Sequence, residues 1–251
     1  MQRTSRLELE ELLRSLGLNR GDRVFVHAFV PSLGLVEGGL AGVSDALRAV
    51  IGDEGTLIVP TFSASYRRGE VYDVAGSPSF NGALSEYVRR RPAAIRNLDP
   101  LFSFAAIGPD AADLMRRDGK NCFGAGSGYD RLFAANVKFI GLGVHWDQGY
   151  SFMMHLERLA EVPFRVEQRF DGVTRDSGGA EFPDWAIHFV RDEAQPVRRN
   201  RGPLGQALVD EGVAIERHLH GVPHRCLPAA ATAARVVTAL RADPYCMAVR
   251  P

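Results

Sequence analysis

"RVFVHAFVPSLGLVEGGLAGVSDALRAVIGDEGTLIVPTF", residues 23–62, is the stretch on which the fold turns. Its two ends, "RVFVHAFV" (23–30) and "GTLIVPTF" (55–62), are short runs rich in valine, isoleucine and phenylalanine. Runs of that length and composition read as strands buried on both faces. Between them, the glycine-rich "PSLGLVEGG" reads as a loop and "LAGVSDALRAVI" (40–51) as a helix. A strand, loop, helix and strand in that order predict two parallel strands joined by a helical crossover.

Working outward, "MQRTSRLELEELLRSLGLNRGD" is an amphipathic helix capped by Thr4 or Ser5. On the other side come a polar loop (63–80), a helix over 82–92, a strand over 103–108 and a helix over 110–117. A second glycine loop, "GKNCFGAGSGYDRL", precedes a strand, "VKFIGLGV" (137–144), which runs through "HWDQGY" into the helix opening "SFMMHLERLAEVPFR" (151–165). Strand-and-turn sequence follows, and helices are predicted at 203–212 and 229–243. With no repeat and no proline-rich linker, one domain over 1–251 is expected.

The 251 residues are 45% apolar and 24% charged with zero formal net charge. That balance argues against nucleic acid or an anionic membrane as partner, since both demand a clustered basic excess. "RRR" at 89–91 reads as a solvated helix end. Nearly all basic residues are arginine, which hints at a GC-rich bacterial genome. Cys122, Cys226 and Cys246 form no disulfide framework. No signal core or membrane-length apolar run is present, so a cytoplasmic protein is expected. "RHLHGVPHRC" offers His218, His220, His224 and Cys226, but at no standard zinc spacing, and no metal is expected.

The opening stretch resembles the start of the aminoglycoside N3-acetyltransferase family, in which a valine-rich strand ends in His-Ser-Ser before glycines, a helix and Gly-Thr-Leu-x-x-Pro-Thr. "SPSFNGALSEYVRRRP", "DPLFSFAAIGPDA", "FGAGSGYDRL", "KFIGLGV" and "HLERLAEVPFR" continue the resemblance in order. It implies an α/β domain with a central mixed β-sheet flanked by helices. It also implies an acyltransferase that uses acetyl-CoA or another acyl-CoA as co-substrate and acylates the amine of an amino sugar or natural product. Sugar and natural-product biosynthetic members look nearest.

The family's acid–base histidine stands three residues before a glutamate on one helix face. Anchored on "VPFR", that glutamate is Glu157, the histidine position is Met154, and His155 falls one place late. One residue turns a side chain by about 100° around a helix. Phe152, Leu156 and Leu159 then form the core stripe, with His155 on its border. A "HWDQGY" loop one residue longer than the family's would re-aim His155 as the general base. Otherwise His155 is a core-edge histidine, and the sequence leaves both readings open. Asp147 matches a family loop aspartate, as a substrate ligand or a helix cap. The resemblance places His27, Phe29, Gly34, Gly38 and Gly39 around the coenzyme, with Ser79, Ser103 and Ser127 on family serines nearby.

His-Ser-Ser is here His27-Ala28-Phe29, His-Pro is Asp99-Pro100, and Gly-Glu-Gly-Ser is Gly124-Ala125-Gly126-Ser127. These departures keep open a second reading, a diverted pocket that performs another reaction or only binds. Arg67, Arg68, Glu70 and Asp73 mix charges in the 63–80 loop. A site for a polycation would carry carboxylates, so biosynthesis is favoured over antibiotic resistance.

Overall fold

The computed structural model describes residues 2–250. Its frame is a seven-stranded mixed sheet. In chain order the strands are β1 (Arg23–Ala28), β2 (Thr56–Pro60), β3 (Ile95–Arg96), β4 (Phe104–Ile107) and β5 (Lys138–Leu142). A long hairpin outside the sheet supplies β6 (Arg165–Arg175) and β7 (Glu181–Arg191), and β8 (Ile215–Leu219) and β9 (Val222–Pro228) complete the sheet. Across the sheet the order is β8-β9-β5-β1-β2-β4-β3. The predicted parallel crossover is present, with β1 parallel to β2 on one side and to β5 on the other. The outer strands β4 and β9 run antiparallel to their inner neighbours.

Side chains alternate across each strand. Val24, Val26, Leu57, Val59, Ile140 and Leu142 face helices α1 (Arg6–Ser15), α2 (Gly39–Ile51) and α3 (Ala83–Arg89). Phe25, Ile58, Phe104 and Phe139 face the other layer. That layer holds α4 (Gly128–Ala134), α5 (Met153–Leu159), α6 (Gly202–Asp210) and α7 (Ala229–Ala242). Of the two possible caps for α1, Ser5 is the one used: its hydroxyl accepts the Glu8 N–H, and the Glu8 carboxylate accepts the Ser5 N–H. The helix expected over 110–117 is only one turn, Ala111–Leu114. Of the expected solvated "RRR", Arg89 instead lies buried and pairs with Glu86.

Two local features set the geometry around the strand ends. Gly143, just past β5, has φ +62, and a Cβ there would lie 1.8 Å from Ser32 Oγ. Only glycine lets these two loops approach so closely. The second feature is a buried charge cluster. The Glu157 carboxylate on α5 lies 2.6 Å from Arg165 Nε at the start of β6 and 3.6 Å from Arg201 Nη2 before α6. All three residues are buried. One anion thus ties together a helix, a hairpin and a connecting segment. Among the described residues no helix is long and apolar enough to cross a membrane.

Two outcomes are expected. Gly143→Ala should destabilise by about 2–4 kcal/mol, combining left-handed backbone strain with overpacking, read as a lower urea midpoint at unchanged slope. Glu157→Gln should cost about 3–5 kcal/mol by the same measurement, because it leaves two buried guanidinium groups without their anion.

Candidate active site

The carboxyl ends of β1 and β5 open into a cleft, where ligands collect in sheets of this kind. One end, about 480 Å³, lies between Ala28–Phe29 and Gly143–His145. The other, about 300 Å³, runs beneath the β6–β7 hairpin to Met154, His188 and Arg201. His27, Phe80, Asn81, Gln148 and Gly149 line both ends, so the two are continuous. A third hollow of about 520 Å³, between Arg3–Glu8 and Leu35–Glu37, lies apart and holds none of the histidines.

His27 follows Phe25 on the same face of β1 and sits where the two ends meet. Its Nε2 is 2.9 Å from Ser151 Oγ, which in turn pairs with the Tyr129 hydroxyl. Its Nδ1 is buried without a protein partner. Burial, and then the positive charge of Arg201, push its pKa down to about 3, so the ring is neutral. Phe29 and Phe80 stand 59% and 62% exposed at the cleft, an apolar wall pair open to a ligand.

Helix α5 places Met154 and His155 in different surroundings. Met154 lines the cleft at 7% exposure, whereas His155 is 0% exposed and does not line it. The His155 ring stacks on Phe133 of α4, with centroids 4.9 Å apart, and its Nδ1 accepts the Gly124 N–H. Burial lowers its pKa to about 4. The position that the resemblance assigns to a histidine therefore does face the cleft, and it holds methionine. His155 itself is not turned toward the cleft. Nor is the expected stripe the whole buried face: Met153 to Glu157 are all buried, and Leu159 is exposed. The helix runs through the interior, so it has no wet side until Arg158.

The other expected residues divide. Glu157 is held by arginines below the cleft and does not line it. Asp147 accepts the Arg201 backbone N–H at 2.7 Å through its carboxylate and the Arg199 guanidinium at 3.1 Å through its carbonyl, so it anchors the 199–201 segment. Ser79 flanks the cleft residues Phe80 and Asn81, and its hydroxyl accepts the Asn81 N–H. Ser103 and Ser127 do not reach the cleft. Ser103 Oγ donates to the Thr61 carbonyl and accepts from buried Arg96, and Ser127 caps α4. Gly34, Gly38 and Gly39 turn the chain with positive φ and are likewise outside the lining. His218, His220, His224 and Cys226 sit on the β8–β9 hairpin, where His224 and Cys226 are buried and His220 contacts Thr4.

Sequence reading missed His188, Arg199 and Arg201. Arg67 was noticed only as loop charge. The β7 strand delivers His188 to the cleft, where its Nδ1 accepts from Arg67 at 2.7 Å. Burial, then Arg67 and Arg165, lower its pKa to about 3. These residues lie on separate segments, and no spacing in the chain signals their meeting.

Residues 25–241 match the family model described as aminoglycoside 3-N-acetyltransferase. Aminoglycoside N(3)-acetyltransferase VII of Streptomyces paromomycinus is 34% identical, over 84% of this chain and 90% of that one. The crystal structure of aminoglycoside acetyltransferase AAC(3)-Xa superposes at a TM-score of 0.83 with 25% identity, covering 95% of this chain and 93% of that one. The binary complex of AAC-IIIb with CoASH shares the fold at 0.83 and 24% identity, over 96% of this chain and 97% of that one. With its mixed sheet, its cleft at the strand ends and a match over most of its length, the chain belongs to the aminoglycoside 3-N-acetyltransferase family, a family of acyltransferases.

Proposed function

We propose that the protein is a cytoplasmic acyl-CoA-dependent N-acyltransferase acting on a small-molecule amine, an amino sugar or related natural product. The observation that carries this reading is the continuous cleft, with the Phe29 and Phe80 walls at one end and a polar chamber at the other. The apolar pair suits the pantetheine arm of coenzyme A, the group bound in the AAC-IIIb complex. The acceptor then enters from the hairpin side, and nitrogen meets thioester near His27.

In the reaction the neutral amine attacks the thioester carbonyl. The new C–N bond replaces the C–S bond, the electron pair leaves on sulfur, and the amine's surplus proton ends on the thiolate or in solvent. His27, rather than His155, is placed to take part. With Nε2–H donating to Ser151, its free Nδ1 lone pair accepts a hydrogen bond from the attacking amine. A ring that stays neutral down to about pH 3 orients the amine and passes on a proton but stores none. Glu157 and Asp147 act as positioning residues through Arg165 and Arg201. The second reading, a pocket diverted to another reaction or to binding alone, draws on one specific observation: methionine, at the position where the resemblance puts the family histidine, lines the cleft.

Calorimetric titration with acetyl-CoA and thiol release over a panel of amines test the assignment. Absence of acetyl-CoA binding sinks it, and binding without turnover favours the second reading. His27→Ala should lower kcat by about a hundredfold or more, the scale of a group acting on the transferred proton. His155→Ala should lower stability and leave kcat within a few-fold of wild type. For the wild type, kcat/KM should rise with pH through the acceptor amine's own pKa, with no limb from His27, which is already neutral. Met154→His should cost about 1 kcal/mol of stability. It should also add an acid limb at or below about pH 6.5, present because the new imidazole helps only when deprotonated. A wild-type histidine limb near neutrality would overturn the His27 assignment.

A further inference from the structure

The acceptor end of the cleft carries charge of one sign. Arg67, Arg199 and Arg201 line it, and no aspartate or glutamate lines either end. The carboxylates nearby are engaged elsewhere. Glu157 lies below the lining, shared between Arg165 and Arg201. Asp147 is turned to the Arg201 backbone, and Asp99 accepts the Leu101 and Phe102 N–H groups. Arg201 is 2% exposed: its Nη1 donates to the Gly149 and Tyr150 carbonyls and its Nη2 faces Glu157 at 3.6 Å, while its Nε has no hydrogen-bond acceptor in the protein. His188 Nε2 is equally buried and unpartnered. With Nδ1 accepting from Arg67, Nε2 must carry the ring's proton, which makes it one more donor without an acceptor.

We propose that the acceptor is an amine that also bears an anionic group, a carboxylate or a phosphate, held by Arg67, Arg199 and Arg201 with the His188 N–H. This rests on the acyltransferase reading above and specifies its substrate class. Guanidinium groups bind carboxylate and phosphate oxygens through paired N–H donors, and such charge-assisted bonds are strong in a partly dry site. A polycation would meet three guanidinium groups and no carboxylate. Burial first, and then the neighbouring Arg201, Arg191 and Arg165, push Arg199 down to about pKa 10, with Glu157 opposing them. An anion at this position would relieve that repulsion.

The test compares four probes in the thiol-release assay: glucosamine, glucosamine 6-phosphate, muramic acid and the polycation neamine. Glucosamine 6-phosphate or muramic acid should exceed glucosamine in kcat/KM by roughly tenfold or more, with neamine poorest. Which of the two leads identifies phosphate or carboxylate as the anion. Arg67→Gln and Arg199→Gln should each raise KM for the anionic acceptor and collapse its advantage, with KM for acetyl-CoA changed less than about twofold. Preference for neamine or for neutral glucosamine overturns the proposal. So does a rise confined to the acetyl-CoA KM, which would assign the arginines to the coenzyme's own phosphates. Calorimetry with glucosamine 6-phosphate against glucosamine reads the anion preference without turnover. Tighter binding of the phosphate supports the proposal even where acetyl-CoA fails to bind and the acyltransferase reading falls. Equal or absent binding of both sugars overturns it.

Discussion

Glu157 is the anion on which this architecture leans. It is buried on α5 between Arg165, which begins the long hairpin, and Arg201, which precedes α6. Removing charges from water is costly, and a lone carboxylate between two guanidinium groups is tolerated only because it offsets both. The arrangement fixes three segments distant in sequence, and it leaves the balance positive. That surplus reaches the cleft through Arg201, whose Nη2 faces Glu157 and whose Nε has no hydrogen-bond acceptor in the protein. The constraint that holds the acceptor chamber in shape therefore also sets its sign.

Much of the frame was legible in the chain. The parallel pair around the 23–62 stretch, the α2 crossover and β5 follow from apolar runs separated by glycine punctuation. The antiparallel attachment of β4 was not legible, because Phe104–Ile107 is apolar whichever way it runs. Around the site the divide is sharper. The "VPFR" anchor placed Glu157 and Met154 correctly on one helix. A helical wheel alone could not show that Phe133 of α4 closes over His155, since that packing is tertiary. The glycine loop was read toward the coenzyme, yet Gly34 meets the Gln2 backbone and Gly38 and Gly39 start α2. Glycines serve the turn as readily as the ligand, and spacing does not distinguish the two uses. The arginine cluster gave no signal because loop, strand and connector each contribute separately.

A methionine at the cleft position to which the resemblance assigns a histidine changes what the cleft can do. An imidazole at position 154 would have brought a titrating base to the chamber. Methionine brings a flexible, polarizable and uncharged wall. Among the polar groups that remain, His27 and Ser151 form a buried hydrogen-bonded chain with Tyr129. Under the reaction proposed above, such a chain orients the acceptor, whose own basicity then governs how readily it reacts.

The β6–β7 hairpin has eleven residues in each strand, paired in register from Arg165–Arg191 to Arg175–Glu181. It stands outside the main sheet and is tied to the rest of the chain by a short strand at Tyr72–Asp73, by a bridge between Asn121 and Ile187, and by the ion pairs of Asp184 with Arg117 and Lys120. The other end of the cleft depends on the parallel strand ends, which cannot shift without disturbing the whole interior. The hairpin is anchored at Arg165 and Asp184, and the side chains between those anchors carry no such restriction. Replacing side chains along its inner face would alter the acceptor chamber and leave the donor end intact. In evolutionary terms the two halves of the cleft are separable: one is built on the ends of the central strands, the other on a hairpin whose side chains can be exchanged with little effect on the frame.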